Sequence, residues 1–224
     1  MPQIIIEDIS KIYTVGSDRI EAVRSASLAI EKGDFLSIVG HSGSGKTTLL
    51  SLIGGITRPT SGRLIFDDRD IFAMDSDRIS EYRCGKIGFM FQFASLLPML
   101  TVKENLLLPT VFRPGEERAV GDKAEELLRM VGIYEKINAY PPQLSGGQQR
   151  RVAIARAFMN DPDVVLADEP TGDLDEETEM QMMEVFKTMN ETKQVTFIMV
   201  THNRDLARTS KRQFLMQNGM IQSQ

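Results

Sequence analysis

The sequence lacks several features that would point to other classes of protein. It has one cysteine, Cys84, among 224 residues, which excludes an internal disulfide framework and favours a reducing compartment. No apolar run approaches the roughly 18–20 residues that a membrane-spanning helix needs. There is no excess of positive charge, because the formal net charge is -5 and the pI about 5.2. The charge balance therefore gives no sign of a nucleic-acid partner.

The first residues, 1–4, lack the basic region, apolar stretch and small-residue cleavage site of a signal peptide. We find no internal repeat or low-complexity tract. We therefore expect a cytoplasmic protein whose link to a membrane, if it has one, goes through another chain. The length and a hydrophobic share of 42% suit one large α/β domain, or at most two small ones.

Short apolar strands alternate with helical segments along the chain. The runs 35–39, 164–166 and 195–200 are rich in β-branched residues and predict buried strands, the first ending at a glycine-rich turn. Such strands, separated by helices, predict a mostly parallel sheet covered on both faces. The other predicted strands are 4–6, 27–30, 63–66 and 86–91, and the other predicted helices in these parts are 47–53 and 176–189. Met180 and Met183 are predicted to fill the core.

The middle of the chain predicts helices. Thr101 and Glu104 form a capping-box pattern that opens a short helix, which must end before Pro109. Apolar residues at positions 124, 127, 128 and 131 recur at helical spacing, and Gly132 follows as a C-terminal cap. We interpret residues 93–160 as a helical insert within a single domain spanning 1–224.

A glycine-rich loop follows the strand 35–39. Residues 40–47 match the pattern G-x-x-x-x-G-K-[ST], with a strand before and a helix after. Glycines let successive N–H groups point at a phosphate, and the helix adds its positive end. Lys46 would reach the β- and γ-phosphates of a nucleotide, and the Thr47 hydroxyl would bind Mg²⁺. The predicted nucleotide contacts here are Gly40, His41, Ser42, Gly43, Ser44, Gly45, Lys46, Thr47 and Thr48, with no catalytic role for His41.

The strand 164–166 leads into two carboxylates. In an enzyme with a phosphate loop, the first, Asp168, would hold Mg²⁺. The second, Glu169, would lie beyond the strand and orient or deprotonate the attacking water. A solvated acidic loop is the alternative, and the phosphate loop argues against it.

A second anion site is predicted at residues 144–148, Leu-Ser-Gly-Gly-Gln, before a helix over 149–158. Ser145 caps the helix, and Gly146 and Gly147 let a phosphate approach its N-terminus. A capped helix without a ligand is the alternative. The functional interpretation is that Ser145, Gly146, Gly147 and Gln148 serve the nucleotide of another molecule.

With these motifs in this order, the chain resembles a nucleotide-binding domain of the ATP-binding-cassette superfamily from end to end. The resemblance implies a P-loop NTPase fold: a mostly parallel sheet, a small antiparallel β subdomain and a helical subdomain insert. It implies ATP and Mg²⁺ as ligands, and head-to-tail dimers in which each ATP lies between one subunit's phosphate loop and the other's Ser145–Gly147. Residues 172–173 and 149–151 depart from the pattern at positions where the family varies.

The resemblance assigns roles to further residues. Tyr13 would stack on adenine, Gln92 would sense Mg²⁺ and the γ-phosphate, Asp175 would lie in the dimer contact, and His202 would contact the γ-phosphate. Each has an alternative, respectively a strand-face aromatic, a surface loop residue, a helix N-cap and a structural histidine. The predicted catalytic residues are Glu169, His202 and Lys46, and the predicted metal ligands are Thr47, Gln92 and Asp168.

The same resemblance implies a partner. The subgroup indicated by residues 87–92, 96–98, 101–106 and 152–156 is that of lipoprotein-release, macrolide-efflux and cell-division ATPases. We expect an ATPase subunit that drives a separate transmembrane permease as a homodimer or a heterodimer with a paralogue, peripheral on the cytoplasmic face. A mechanical ATPase that moves no solute is the alternative. The apolar loop 93–100 packs inside the helical insert or receives a helix of the membrane subunit.

Overall fold

The computed structural model describes residues 2–112, 117–172 and 174–223. One of its two sheets is antiparallel, with four strands in the order β2-β1-β4-β5. Ile4 lies opposite both Ile30 and Phe66, so β1 is sandwiched between its neighbours. The strands are β1 (Ile4–Val15), β2 (Asp18–Ile30), β4 (Ser61–Phe66) and β5 (Arg69–Asp70).

The second sheet has six strands in the order β10-β9-β3-β8-β7-β6. All neighbours are parallel except β10, which runs antiparallel to β9. Every residue of β3, β7 and β8 is buried, as expected for parallel strands covered on both faces. The strands are β3 (Phe35–Val39), β6 (Ile87–Met90), β7 (Val164–Asp168), β8 (Thr196–Thr201), β9 (Arg212–Gln217) and β10 (Met220–Ser223).

Helices cover the second sheet and fill the segment between β6 and β7. The predicted capping box is present, since Thr101 accepts a bond from the Glu104 N–H and Glu104 accepts one from the Thr101 N–H. That helix ends before Pro109, which lies in a 3-10 turn. The α-helices are α1 (Lys46–Ile53), α2 (Ser76–Lys86), α3 (Val102–Leu107), α4 (Glu117–Met130), α5 (Gly146–Ala157), α6 (Glu176–Lys193) and α7 (Arg204–Ala207).

Two apolar cores lie on opposite faces of the six-stranded sheet. Alternate residues of a strand point to opposite faces, and Phe197 and Met199 belong to one core while Ile198 and Val200 belong to the other. The first core joins the sheet to α3, α4, α5 and α6. The second joins it to α1 and the antiparallel sheet. The large sheet is therefore the middle layer of the fold.

The predicted fold class is confirmed, with differences at several elements. The strands predicted at 4–6 and 27–30 extend to 12 and 13 residues. Helix α5 begins at Gly146 rather than at residue 149, so the two glycines lie within its first turn. The core prediction is right for Met183, which is 5% exposed, and wrong for Met180, which is 67% exposed. Helix α2 and strands β9 and β10 had not been predicted.

Phe197 provides a test of the first core. It is 1% exposed, and its ring centroid lies 5.4 Å from that of Phe35, 6.0 Å from that of Phe158 and 5.4 Å from that of Phe186. We expect Phe197→Ala to lower the free energy of unfolding by about 3 to 5 kcal/mol, because it opens a cavity among aromatic rings. Urea unfolding followed by circular dichroism measures the loss.

The matched control is Phe93→Ala. Phe93 is 72% exposed, so its removal should change the free energy of unfolding by no more than about 0.5 kcal/mol. Equal losses for the two variants would contradict the assignment of Phe197 to the core.

Candidate active site

Four strands of the six-stranded sheet end at the same edge. Val39 of β3 lies opposite Thr201 of β8, Asp168 of β7 lies opposite Val200, and Met90 of β6 lies opposite Ala167. Because these strands are parallel, the residues that follow them lie side by side. The edge thus receives the phosphate loop after β3, Gln92 after β6, Glu169 after β7 and His202 after β8.

Glycine is required at two positions of the phosphate loop. A Cβ on Gly45, whose φ is +105°, would lie 2.1 Å from the Ala22 carbonyl oxygen. A Cβ on Gly40 would lie 2.3 Å from the carbonyl oxygen of Met216. The backbone of β2 and β9 therefore packs directly against the loop, and any side chain at position 40 or 45 would push that backbone away.

The turn between β9 and β10 supports the loop from behind. The Gly219 N–H donates to the Ser44 carbonyl at 3.0 Å, and the Arg24 N–H donates to the Gly219 carbonyl at 2.8 Å. Gly219 adopts a φ of +81° in this turn. The phosphate loop is thus bonded through the last turn of the fold to β2.

Lys46 lies at the start of α1 and is 7% exposed. Its Nζ donates to the carbonyls of Gly40 at 2.8 Å and His41 at 3.0 Å. Burial lowers the pKa of the Lys46 ammonium, and the negative charges of Glu169 and Asp168 act in the opposite direction. The lysine is therefore held inside the curve of the loop, close to both carboxylates.

The loop has the properties of an anion site. Gly45 provides no side-chain cap for α1, and the first turn of this helix has no acidic residue, so its amide donors are left for a ligand. The Ser44 hydroxyl is buried, and within the described residues it has no hydrogen-bond partner. A buried polar atom without a partner requires an explanation, and a phosphate oxygen in the loop would supply its partner.

Asp168 is the carboxylate at the end of β7 and is 6% exposed. Burial, the largest effect, raises the pKa of the Asp168 carboxyl, and the charge of Glu169 raises it further. A hydrogen bond from the Thr47 side chain and the charge of Lys46 act in the opposite direction. The Thr47 hydroxyl and the Asp168 carboxylate therefore lie together at the mouth of the loop, as the predicted metal ligands require.

Glu169 is fixed by the end of β8. Its Oε2 accepts a bond from the Thr201 hydroxyl at 3.0 Å, and its Oε1 accepts one from the His202 N–H at 2.9 Å. The His202 Nδ1 lies 2.9 Å from the same Oε1. The backbone of Glu169 has a φ of +46°, an unfavourable conformation for a residue with a side chain. The predicted base and the predicted γ-phosphate contact are thus joined in one cluster.

The remaining predicted residues lie at the borders of the site. Tyr13 is 38% exposed and lies opposite Ile20, two residues from the Ala22 that packs on Gly45. Gln92 is exposed two residues beyond β6. His41 and Ser42 are exposed in the loop, and Thr48 is half-buried in α1. Asp175 caps α6 by accepting bonds from the Thr178 N–H and hydroxyl, which lower its pKa.

The segment 144–148 lies on a different element from the phosphate loop. Ser145 accepts a bond from the Gln148 N–H at 3.2 Å, and Gln148 accepts one from the Ser145 N–H at 2.9 Å. Within the described ranges, no hydrogen bond joins either residue to the phosphate loop. Ser145 and Gly146 are exposed, so the N-terminus of α5 is open to another molecule.

Sequence reasoning missed two residues of the site. Thr201 donates a hydrogen bond to Glu169. The sequence feature that could have indicated this role is a polar residue at the end of a buried apolar strand, next to His202. Arg150 of α5 contacts the carbonyls of Phe91, Glu169 and Gly172, and no sequence signal indicated these contacts. Asp173, which departs from the family pattern, lies outside the described residues.

The raised pKa of Asp168 gives a pH-dependent prediction. A carboxyl whose pKa is raised in the folded state binds its proton more tightly there than in the unfolded state. The stability of the protein therefore falls as the pH rises above 3.8, the ordinary pKa of an aspartate, and through the pKa of the folded state. Asp168→Asn mimics the neutral form. We expect this variant to be more stable than the parent at pH 7, with a gain that disappears toward acidic pH.

Thermal unfolding in a metal chelator at several pH values measures this gain. Asp18→Asn, at an exposed hairpin position, is the control and should show no comparable gain. A gain for Asp168→Asn that stays constant from acidic to neutral pH would argue against burial of the charge as its cause.

Comparison with known proteins identifies relatives of the whole chain. The macrolide export ATP-binding/permease protein MacB of Syntrophobacter fumaroxidans is 41% identical over 99% of this chain, which spans 31% of MacB's length. The lipoprotein-releasing system ATP-binding protein LolD of Cytophaga hutchinsonii is 40% identical over 96% of both proteins. Both relatives fall in the expected subgroup.

A solved structure and a family profile agree with these relatives. The dimeric, ADP- and phosphate-bound structure of the ATP-binding cassette MJ0796 superposes with a TM-score of 0.92 and 38% identity, covering 98% of each chain. The profile of the ABC transporter family matches residues 23–172. The chain therefore belongs to the ABC transporter family, in which it is an ATP-binding cassette.

Proposed function

We propose that this chain hydrolyses ATP, as a dimer, to drive a separate transmembrane permease. The observation that carries the proposal is the cluster at the sheet edge, where Lys46, Thr47, Asp168, Glu169 and His202 lie around a loop built for an anion. These groups match the requirements of phosphoryl transfer, which depends on positioning and charge stabilisation rather than on covalent chemistry.

The phosphates of ATP bind in the loop 40–45. The open amides of the α1 N-terminus and the Ser44 hydroxyl donate to them. Lys46 exchanges its bonds to the Gly40 and His41 carbonyls for bonds to the β- and γ-phosphates. The adenine stacks on the exposed ring of Tyr13, next to the strand that contacts Gly45.

The residues present suit Mg²⁺. It favours oxygen ligands and is commonly bound by one or two carboxylates together with substrate phosphates. The Thr47 hydroxyl and the Asp168 carboxylate already lie together, and Gln92 follows the neighbouring strand. Within the described residues no group of three or more His, Cys, Asp or Glu side chains forms a metal cage. When bound, Mg²⁺ would neutralise charge on the β- and γ-phosphate oxygens.

Glu169 orients the attacking water and accepts its proton. The bonds from Thr201 and His202 fix the carboxylate at the end of β7, so little rotamer freedom is lost on reaction. His202 and Lys46 stabilise the charge that develops on the γ-phosphate in the transition state.

The second half of each site comes from another subunit. The exposed N-terminus of α5, with Ser145, Gly146 and Gly147, approaches the γ-phosphate held by the partner's loop. Asp175, which caps α6 in its own chain, contacts the partner subunit at the same interface. Closure of the dimer over two ATP molecules, and its opening after hydrolysis, drive the permease.

Glu169→Gln tests the assignment of the base. The amide cannot accept the water proton, so we expect the kcat of ATP hydrolysis to fall on the order of a thousandfold. ATP binding is retained, and the variant should accumulate as an ATP-bound dimer. Phosphate release measures the first effect and analytical ultracentrifugation with ATP the second.

The control is Glu191→Gln, an exposed glutamate near the C-terminal end of α6, which should keep the parent rate. Hydrolysis by Glu169→Gln at the parent rate would show that another residue is the base.

The apolar loop 93–100 and a neighbouring groove form the proposed permease surface. Phe93, Leu97 and Met99 are exposed, while buried Asn105 fixes the loop backbone through bonds to the Leu97 N–H and carbonyl. A rigid, exposed apolar surface suits a partner helix. Beside it lies a groove of about 910 Å³, whose lining includes Phe89, Phe91 and Phe112 together with charged residues such as Asp77 and Arg83.

Within the described residues, no helix is long and apolar enough to cross a membrane. We propose that the chain lies at the cytoplasmic face of the membrane, held there by the permease. Purification of tagged protein from detergent-solubilised native membranes, with mass spectrometry, tests the proposal. A stoichiometric multi-span partner supports it, and recovery with a nucleic acid or a ribosome instead would overturn the transport role.

Leu97→Arg tests the apolar loop. The new charge would lie in the apolar contact with the permease, where it has no partner, so we expect the amount of co-purified permease to fall at least tenfold. The rate of ATP hydrolysis by the isolated chain should stay at the parent value.

Ile56→Arg provides the matched control. Ile56 is 49% exposed, compared with 42% for Leu97, and lies outside the loop. Its variant should recover the permease at the parent level. Full recovery with Leu97→Arg in a folded protein would remove this loop from the permease contact.

A further inference from the structure

Arg150 lies in the first half of α5, five residues after the Ser145 that caps this helix. The residue is 9% exposed. Nη2 donates to the Gly172 carbonyl at 3.2 Å, and Nη1 lies 3.4 Å from the Phe91 carbonyl and 3.5 Å from the Glu169 carbonyl. One guanidinium thus joins α5 to the residue that follows β6 and to the loop 169–172 that follows β7.

The three carbonyls lie at or near residues of the proposed ATP site and of the proposed dimer contact. Phe91 directly precedes Gln92, Glu169 is the proposed base itself, and Gly172 lies in the loop that leads to Asp175. Arg150 in turn belongs to the helix whose first turn is proposed to meet the partner's ATP. The guanidinium therefore connects the residues that act on a subunit's own nucleotide with the helix that acts on the nucleotide of its partner.

A guanidinium suits this position because its five N–H donors are fixed in one plane and it stays charged. A shorter or more flexible donor could not reach three carbonyls at once. Since burial of a charge is costly without hydrogen-bond partners, α5 gains stability when these carbonyls are in place. The positions of the three carbonyls and the position of α5 are consequently coupled.

The coupling matters most at Glu169, whose φ of +46° is unfavourable. Such a conformation persists only where the surroundings hold it. The Glu169 N–H donates to the Val200 carbonyl at 2.9 Å, and its own carbonyl accepts a bond from the Gly172 N–H at 3.1 Å. Arg150 adds its charge to that same carbonyl, on the side that faces α5.

We propose that Arg150 is a positioning residue that makes the orientation of Glu169 depend on the position of α5. Movement of α5 onto the partner's ATP draws the Glu169 peptide into the arrangement in which its carboxylate meets the attacking water. The inference rests on the proposed function, because it requires the N-terminus of α5 to contact the nucleotide of a second subunit.

The test compares Arg150→Met and Arg150→Lys with Arg151→Met. Arg151 is the next residue of α5, and it donates to the Val131 carbonyl at 2.9 Å and to the Gln181 Oε1 at 2.6 Å, away from the ATP site. All four proteins, parent included, are assayed for ATP affinity with a fluorescent nucleotide, for kcat and KM of hydrolysis, and for melting temperature.

We expect Arg150→Met to lower kcat roughly a hundredfold, the scale of misplacing a reacting group by about 1 Å, with nucleotide affinity and KM within a few-fold of the parent. Arg150→Lys keeps the charge without the planar fork and should recover part of the kcat. Arg151→Met should keep the parent kcat even where its melting temperature falls as far as that of Arg150→Met.

The inference is overturned if Arg150→Met hydrolyses ATP at the parent rate, or if Arg151→Met loses as much kcat. It is also overturned if the loss in Arg150→Met is one of nucleotide affinity alone. Glu169→Gln separates this failure from that of the proposed function. If Glu169→Gln hydrolyses ATP at the parent rate, Glu169 is not the base, and the proposed role of Arg150 fails with that assignment.

Discussion

The parallel pairing of β7 with β8 is the constraint on which the site depends. Asp168 lies opposite Val200, and the Glu169 N–H continues the ladder by donating to the Val200 carbonyl. Thr201, the last residue of β8, and His202, which follows it, are thereby placed to bond the Glu169 carboxylate. Because Thr201 also lies opposite Val39 of β3, the phosphate loop starts beside the same pair of strands. A shift of register by one residue would separate all of these groups.

At this edge of the sheet, the attraction between the opposite charges of Lys46 and Asp168 does not offset the cost of burying them. It lowers the pKa of Lys46 and raises that of Asp168, although the two lie close enough to stabilise each other's charge. The charged forms of both groups are therefore held at a cost in free energy. A ligand that brings a polyphosphate and a divalent cation together would relieve both costs.

The sequence was most informative where burial or ligand chemistry restricts the residue type. Strands β3, β7 and β8 are largely apolar, and the phosphate loop and acidic strand end require particular residues at fixed spacing. The hairpin of β1 and β2 was predicted too short, since its outer half is exposed and carries no apolar pattern. Helix α2 was missed because only Ile79 and Tyr82 of its 11 residues are buried. Thr201 and Arg150 act on Glu169 from 32 and 19 positions away, and such contacts depend on the folded topology.

The support of the phosphate loop by the turn at Gly219 bears on how the chain is made. β3, at residues 35–39, is bordered on one side by β8 and on the other by β9, so its neighbours are synthesised more than 150 residues later. During translation the loop leaves the ribosome before the strands that flank it and the turn that bonds Ser44 have been made. At a synthesis rate of about 5 to 20 residues per second, this interval lasts roughly ten seconds or more. Throughout it, β3 lacks both of its neighbours and the loop lacks its bond to the Gly219 turn, so the nascent chain acquires this site only as β8, β9 and β10 emerge.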